Sequence, residues 1–405
     1  MATPQSVRYL NEIRALNVLF RDGGMSRAKL ARALGLNRSS IGNIIADLLS
    51  DRLVIERPSK VRLDGAIRGG RPGITIEIDP QGATFIGAEI GVESLTVVAA
   101  DLAAREIGRR TIGFAAVANP PEVAIDRLAD MVNAMINRLP DRSRIRGLCV
   151  SIPALVDARG AVRNALVLGW QQVPLSALLK QRIHLNVPIV VENDANAFAI
   201  AETYRGTTRR ADVVAFLLIE NGAGGGIVIR GRLFRGGDGF AGEFGQLVTG
   251  REGFITGPHK SGHLESYIGK DAILARYRAN GAADTAVFDD LLSGLAEGEP
   301  VALHTASEWG RQISRGLIHI TNILNPGLII LGGSVAPIFR YIAHEVADVI
   351  HSELLEGFPG PMIEVSSLGP EGPALGGALL VHQRMFSVDE RVIYPGGQSI
   401  ALLPV

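Results

Sequence analysis

Val190–Glu202 reads VVENDANAFAIAE: a short apolar run ends in three polar residues, and a helical pattern begins directly after them. An apolar strand that stops at Glu192, Asn193 and Asp194 delivers those side chains to the carboxyl end of a sheet, where ligand clefts of open α/β folds lie. Asp194 then has two readings. As an N-cap it would accept bonds from the free N–H groups of the helix it starts; as a functional carboxylate it would face a ligand. The stretch alone leaves both open.

The 405 residues around it predict two or three domains with enough apolar content for a full core. Cys149 is the only cysteine, so no disulfide framework or thiolate metal site is available, and its apolar setting (GLCVSI) predicts a buried strand thiol. No apolar run approaches the roughly 20 residues of a membrane span, and MATPQSVRYL lacks the apolar region of a secretion signal. A cytoplasmic protein is expected. Its charge is balanced overall but unevenly spread: residues 1–78 carry 13 Lys/Arg against 7 Asp/Glu, leaving 28 against 34 beyond them. A small basic head on a larger acidic body is the pattern of a polyanion binder.

Apolar residues at helical spacing (Leu10, Ile13, Leu16, Leu19) predict a helix ending near Phe20, before Asp22, Gly23 and Gly24. Ser26 caps a short helix over Arg27–Leu34, Gly35 turns the chain, and Asn37 caps a third helix with Ile41, Ile44, Ile45 and Leu48 inward. Helix, Gly turn, helix at this spacing predicts a helix-turn-helix, whose second helix enters the major groove of DNA. Asn37, Arg38, Ser39, Ser40 and Asn43 would then meet phosphates or base edges. A strand at Leu53–Ile55, a basic loop and an alternating strand at Ile74–Ile78 add a β-hairpin wing. Arg68 and Arg71, beside small residues in RGGRP, suit a narrow minor groove.

From Gly82 the pattern changes to strands at Thr84–Ile90, Ser94–Ala100 and Glu106–Phe114, a helix at Glu122–Arg138 and a strand at Gly147–Ile152. A similar series recurs from Val213. Two α/β lobes with a cleft between them are expected.

These segments, taken with SIPALVDARG (Ser151–Gly160), GAGGGIVIRGRLFRGGDGFAGEFGQ (Gly222–Gln246), HLESYIG (His263–Gly269) and NPGLIILGGSVA (Asn325–Ala336), make the chain resemble the ROK family of repressors, open reading frames and kinases, in its repressor form. The resemblance implies a winged helix-turn-helix (residues 1–78) followed by a two-lobed actin-like ATPase or sugar-kinase fold, ribonuclease H-like in each lobe (79–405). It also implies that Asn193, Asp194, Glu243 and Glu265, with Gln246 in place of a histidine, contact a sugar, Asp194 holding the position of the kinase base. It shifts Asp194 from cap to ligand residue. Carboxylates accept from hydroxyls, and amides both donate and accept.

The departures from that pattern are equally specific. The first phosphate turn reads Glu89, Ile90, Gly91, Val92, Glu93 and the second Glu220, Asn221, Gly222, Ala223, Gly224, Gly225, Gly226. Acids at phosphate-facing positions oppose ATP, which needs open N–H groups and little competing negative charge, so no catalysis is expected. Gly332 and Gly333, over adenosine in kinases, become fold remnants. The family's zinc ligands correspond to Gln246, Thr256, Pro258 and His263, and none is a thiolate. His259 and His263 stand four apart, but Pro258 and Gly262 interrupt a helix there and no third ligand is evident, so no metal or other cofactor is expected. Packing of Phe254, Ile255 and Leu264 would replace the zinc knot.

Trp170 suits either the cleft or the core. Helices at Val301–Leu324, Pro337–Leu355 and Ala374–Phe386 would complete the second lobe. The expected function is a sugar-responsive transcriptional repressor, binding a near-palindromic double-stranded operator as a homodimer or dimer of dimers. The alternatives are an active ROK sugar kinase with a DNA-binding head and a regulator controlled by a protein partner. Neither sugar nor operator is specified by the sequence.

Overall fold

The computed structural model describes residues 4–58, 73–206, 210–251 and 259–387. It begins with three helices, α1 (Pro4–Asp22), α2 (Arg27–Leu34) and α3 (Arg38–Ser50), and a hairpin of β1 (Val54–Pro58) with β2 (Ile74–Ile78). The caps are those the sequence marks: the Ser26 hydroxyl accepts from Lys29 N, and the Asn37 side chain accepts from Ser40 N at 2.8 Å. Gly35 turns between α2 and α3 with φ +68°, which favours glycine. Leu16, Leu30, Ile45 and Ile76 are buried where the helices meet the hairpin. Arg68 and Arg71 lie outside the described residues.

The chain continues through β3 (Thr84–Ile90), β4 (Ser94–Asp101), β5 (Glu106–Gly113), α4 (Pro121–Arg138) and β6 (Ile145–Ile152). A small three-stranded sheet follows, β7 (Leu155–Val156), β8 (Val162–Ala165) and β9 (Trp170–Val173). Next come α5 (Leu175–Arg182), β10 (Ile189–Asn193) and α6 (Asp194–Tyr204). The second half contains β11 (Val213–Ile219), β12 (Ala223–Ile229), β13 (Arg232–Leu233), α7 (Glu265–Ile268), α8 (Lys270–Ala279), α9 (Phe288–Glu297), α10 (Pro300–Leu324), β14 (Leu328–Gly332), α11 (Phe339–Glu353), β15 (Met362–Val365) and α12 (Gly372–Met385).

Two five-stranded sheets repeat one plan. The first runs β10-β6-β3-β4-β5 and the second β15-β14-β11-β12-β13. In each, an antiparallel meander continues into two parallel strands. The central strands β3 and β11 are almost wholly buried, as near-continuous apolar runs require. One face of the first sheet packs on α4 and α5, and one face of the second on α7 to α11.

The inner faces hold the two remaining helices. α6 presents Ala195, Phe198 and Ala199 to Val214, Phe216 and Ile330 of the second sheet. α12 packs Ala378 and Val381 against Phe85, Ala100 and Cys149 of the first. The last helix therefore returns to the first lobe, contrary to the expectation that it completes the second; its buried small residues (Ala374, Gly376, Gly377, Ala378) fit the confined space between sheets. The same cluster takes in Leu16 and Leu19 of α1, so the N-terminal helices, α12 and the first sheet share one core. Pro337 does not open α11 as expected. It sits in a tighter turn, Ala336–Ile338, where Ile338 N bonds Val335 O, and the α-helix starts at Phe339. Trp170 is core, 3% exposed within the first lobe.

Candidate functional site

β10 pairs in parallel with β6 and ends where α6 begins, so Asn193 and Asp194 emerge at the carboxyl edge of the first sheet. The capping role falls to Asn193. Its side-chain oxygen accepts from Asn196 N at 3.0 Å, and its amide donates to Ala154 O. Asp194 is the first helical residue, and its carboxylate accepts from the adjacent Ala195 N at 2.8 Å. Its carboxylate lines the cleft, and the N-cap of α6 is Asn193. Beneath it, buried Glu192 accepts from Asn196 Nδ2 and Asn193 N and pairs with Arg235 Nη2 at 2.6 Å. Arg235 follows β13 of the second sheet, so this buried ion pair ties the base of α6 to the loop that carries Glu243.

The interlobe cleft encloses about 800 Å³, and Asn193, Asp194, Glu243, Gln246 and Glu265 all line it. Burial pushes the Asp194 carboxyl up to about 6, with Glu220 adding repulsion against the opposing bond from Ala195 N. Burial also pushes Glu243 up to about 7, reinforced by Asp194 and Glu265. Glu89, also lining the cleft, is raised well above the carboxylate range by burial and by Asp194 and Glu220. Such carboxyls favour partners that donate hydrogen bonds without bringing negative charge.

Glu265 opens α7 and is 5% exposed. It accepts from Gln246 Nε2 at 2.8 Å, while Gln246 Oε1 meets His263 Nδ1 at 3.0 Å. His259 Nδ1 lies 3.2 Å from Glu265 Oε1 but out of line for a hydrogen bond. The two zinc-knot positions that are described, Gln246 and His263, thus join Glu265 in a hydrogen-bonded chain, His263–Gln246–Glu265. Thr256, Pro258, Phe254 and Ile255 lie outside the described residues, whereas Leu264 is wholly buried in the second lobe. Among the described residues no three His, Cys, Asp or Glu side chains are grouped to hold a metal ion.

Two further acids, Glu93 and Glu220, line the same cleft. Glu220 accepts from Ser334 N at 2.8 Å and from the Ser334 hydroxyl, in the turn after β14. Glu93, between β3 and β4, pairs with Lys270 Nζ at 3.0 Å, bridging the first lobe to α8 of the second. Gly225 has a packing role: a Cβ there would stand 2.3 Å from the Phe244 ring and 2.4 Å from Gly242 O. Arg235, Lys270 and Ser334 were not singled out from sequence. Arg235 lies within a quoted motif (FRGGDGF), but its partnership with Glu192 spans 43 positions and has no local signature.

Two α/β lobes of one plan, with a cleft between them that carries several carboxylates, define the sugar-kinase-like fold class. Residues 85–384 match the ROK family, and the chain belongs to that family. It is 24% identical over 399 residues to the xylose repressor of Caldicellulosiruptor bescii (95% of this chain, 98% of that protein) and 26% identical over 387 residues to the xylose repressor of Bacillus spizizenii (94% and 97%). Among solved structures it resembles a ROK family transcriptional regulator, a homologue of the Escherichia coli Mlc protein. That match has a TM-score of 0.77 at 21% identity, covers 94% of this chain and 97% of the other, and establishes the fold.

Proposed function

We propose that this protein is a transcriptional repressor of sugar-utilisation genes whose operator affinity is set by a sugar in the interlobe cleft. The observation that carries the proposal is the convergence of Asn193, Asp194, Glu243, Gln246 and Glu265 on one cleft whose lining also includes Glu93 and Glu220, each held by a partner of the same chain. Phosphoryl transfer requires anion-receiving groups around the nucleotide, and here Ser334 N and Lys270 already hold carboxylates. The site retains the means to read hydroxyls and is poorly equipped to hold ATP.

The N-terminal residues serve as a winged helix-turn-helix, with 1–78 as the DNA-binding domain and 79–405 as the effector domain. Asn37, Arg38, Ser39 and Asn43 are exposed along the start of α3 and Ser40 is half-buried, an arrangement suited to the major groove. Arg68 and Arg71 complete the contact in the minor groove. Two-fold symmetric operators call for a homodimer or dimer of dimers. The full-length relatives named as xylose repressors make D-xylose the first probe. The test is operator binding with and without D-xylose, D-glucose and their relatives. Asp194→Ala should abolish the sugar response and leave operator binding intact; loss of both would assign Asp194 a structural role instead.

A further inference from the structure

α6 connects two places that lie far apart in the fold. Its first residue, Asp194, lines the cleft; its last, Tyr204, lies about 15 Å along the axis at the helical rise of about 1.5 Å per residue. Tyr204 Oη is 2.8 Å from Nδ1 of His382 on α12. His382 is wholly buried, and burial lowers its pKa to about 4, so the ring is neutral. Its Nε2 lies 3.0 Å from Leu102 O, a carbonyl that can only accept. Nε2 therefore carries the proton, Nδ1 is an acceptor, and Tyr204 is the donor.

The imidazole stacks on Phe386, with centroids 4.5 Å apart and planes at 21°. Phe20, near the end of α1, closes the cluster at 5.0 Å from His382, 5.2 Å from Phe386 and 6.0 Å from Tyr204. Three residues earlier, Asn17 Nδ2 donates to Phe386 O at 2.8 Å. The two inner helices also touch through their backbones: a Cβ on Gly376 of α12 would lie 1.7 Å from Ala197 O of α6. No side chain separates the two backbones at this crossing, so a displacement of α6 bears directly on α12.

We propose that α6 and α12 form the transmission element between the cleft and the DNA-binding head, with Tyr204, His382, Phe20 and Asn17 as the coupling contacts. This rests on the proposed sugar-controlled repressor function. A ligand that pulls Asn193 and Asp194 toward the second lobe shifts the base of α6, and the far end passes that shift through His382 and Phe386 to α1. Spatial continuity alone does not establish coupling; a two-state element biased from both ends does.

The test measures two affinities of the full-length protein, for a duplex selected from a random pool and for D-xylose or whichever panel sugar raises the melting temperature. The readout is the ratio of duplex dissociation constants with and without saturating sugar, which for coupled sites is about 5- to 150-fold. Tyr204→Phe keeps the ring and deletes the donor. Asn17→Ala, at an exposed site, spares the core and cuts the tie to the end of α12. In each variant the ratio should fall below about 3-fold while sugar affinity and sugar-free duplex affinity stay within about 3-fold of the unmodified protein. Retention of the full ratio in both overturns the route and leaves the repressor function standing. Loss of the ratio through loss of sugar binding also overturns it, because the contacts would then be structural. If no panel sugar changes duplex affinity in the unmodified protein, the proposed function fails and the route fails with it.

Discussion

Glu220 places its carboxylate on Ser334, accepting from the backbone N–H at 2.8 Å and from the hydroxyl of the same residue. An anion supplied by the chain thus occupies a turn that would otherwise present its donors to the cleft. Burial raises the Glu220 pKa and the two Ser334 bonds offset part of that rise. The same carboxylate raises Asp194 and Glu89 across the cleft.

Glu220→Gln should therefore lower the pKa of Asp194, since a repelling charge is removed. It should also lose a charge-assisted bond contributing about 1.5–3 kcal/mol. Nuclear magnetic resonance titration of the carboxyl groups measures the first effect and denaturant unfolding the second. ATP should give no stabilisation in the unmodified protein, whereas a ligand at 100 times its dissociation constant would add about 2.7 kcal/mol.

Asp194 and Glu243 are raised from 3.8 to about 6 and from 4.5 to about 7. The folded protein holds these protons more tightly than the unfolded chain. The stability they contribute is complete below about pH 4, falls as pH rises, and is gone above about pH 7, at about 3 kcal/mol for each group. Asp194→Asn and Glu243→Gln should each remove their part of that slope and melt higher than the unmodified protein at pH 8. Melting temperature against pH, from 4 to 8, reads both.

The Glu192–Arg235 pair is buried, with side chains 6% and 18% exposed. Arg235→Ala leaves a carboxylate uncompensated beneath Asn193 and should cost about 3–5 kcal/mol, whereas Glu192→Leu with Arg235→Met should cost much less. Urea unfolding of the three proteins distinguishes these outcomes. Equal losses would show that packing, not charge, dominates there.

The Glu93–Lys270 bridge crosses the lobes at an exposed edge, with Glu93 67% exposed. Exposed pairs are worth about 0.2–1 kcal/mol and weaken with salt. Lys270→Ala should reduce sugar affinity less than about 5-fold at low ionic strength, and the difference should vanish near 1 M salt. Titration calorimetry at the two salt concentrations measures it.

Arg38 is exposed on α3. Arg38→Ala should weaken duplex binding and reduce its salt slope by about 1 if Arg38 meets a phosphate. Sugar-induced stabilisation should be unchanged. Binding isotherms at several salt concentrations check the slope.

Where signals are local, sequence and structure agree closely. Ser26 and Asn37 cap their helices because a short polar side chain reaches N–H groups only two or three residues on. Gly35 turns because its φ is positive. The strands β3 and β11 follow from apolar runs, and the family motifs mark the cleft residues by their order along the chain.

Tertiary structure decided what depends on partners distant in sequence. Asn193 caps α6 while Asp194 remains open to the cleft, although either side chain has the chemistry to cap; the distinction lies in where the strand ends and the helix begins. Glu93 and Glu220 looked from sequence only like obstacles to phosphate, yet each has a partner, Lys270 177 positions away and Ser334 114 positions away. α12 returns between the sheets to meet α1, bringing His382 to Tyr204 across 178 positions. A periodic pattern specifies which face of a helix is apolar; which apolar surface that face meets is settled only when the whole chain packs.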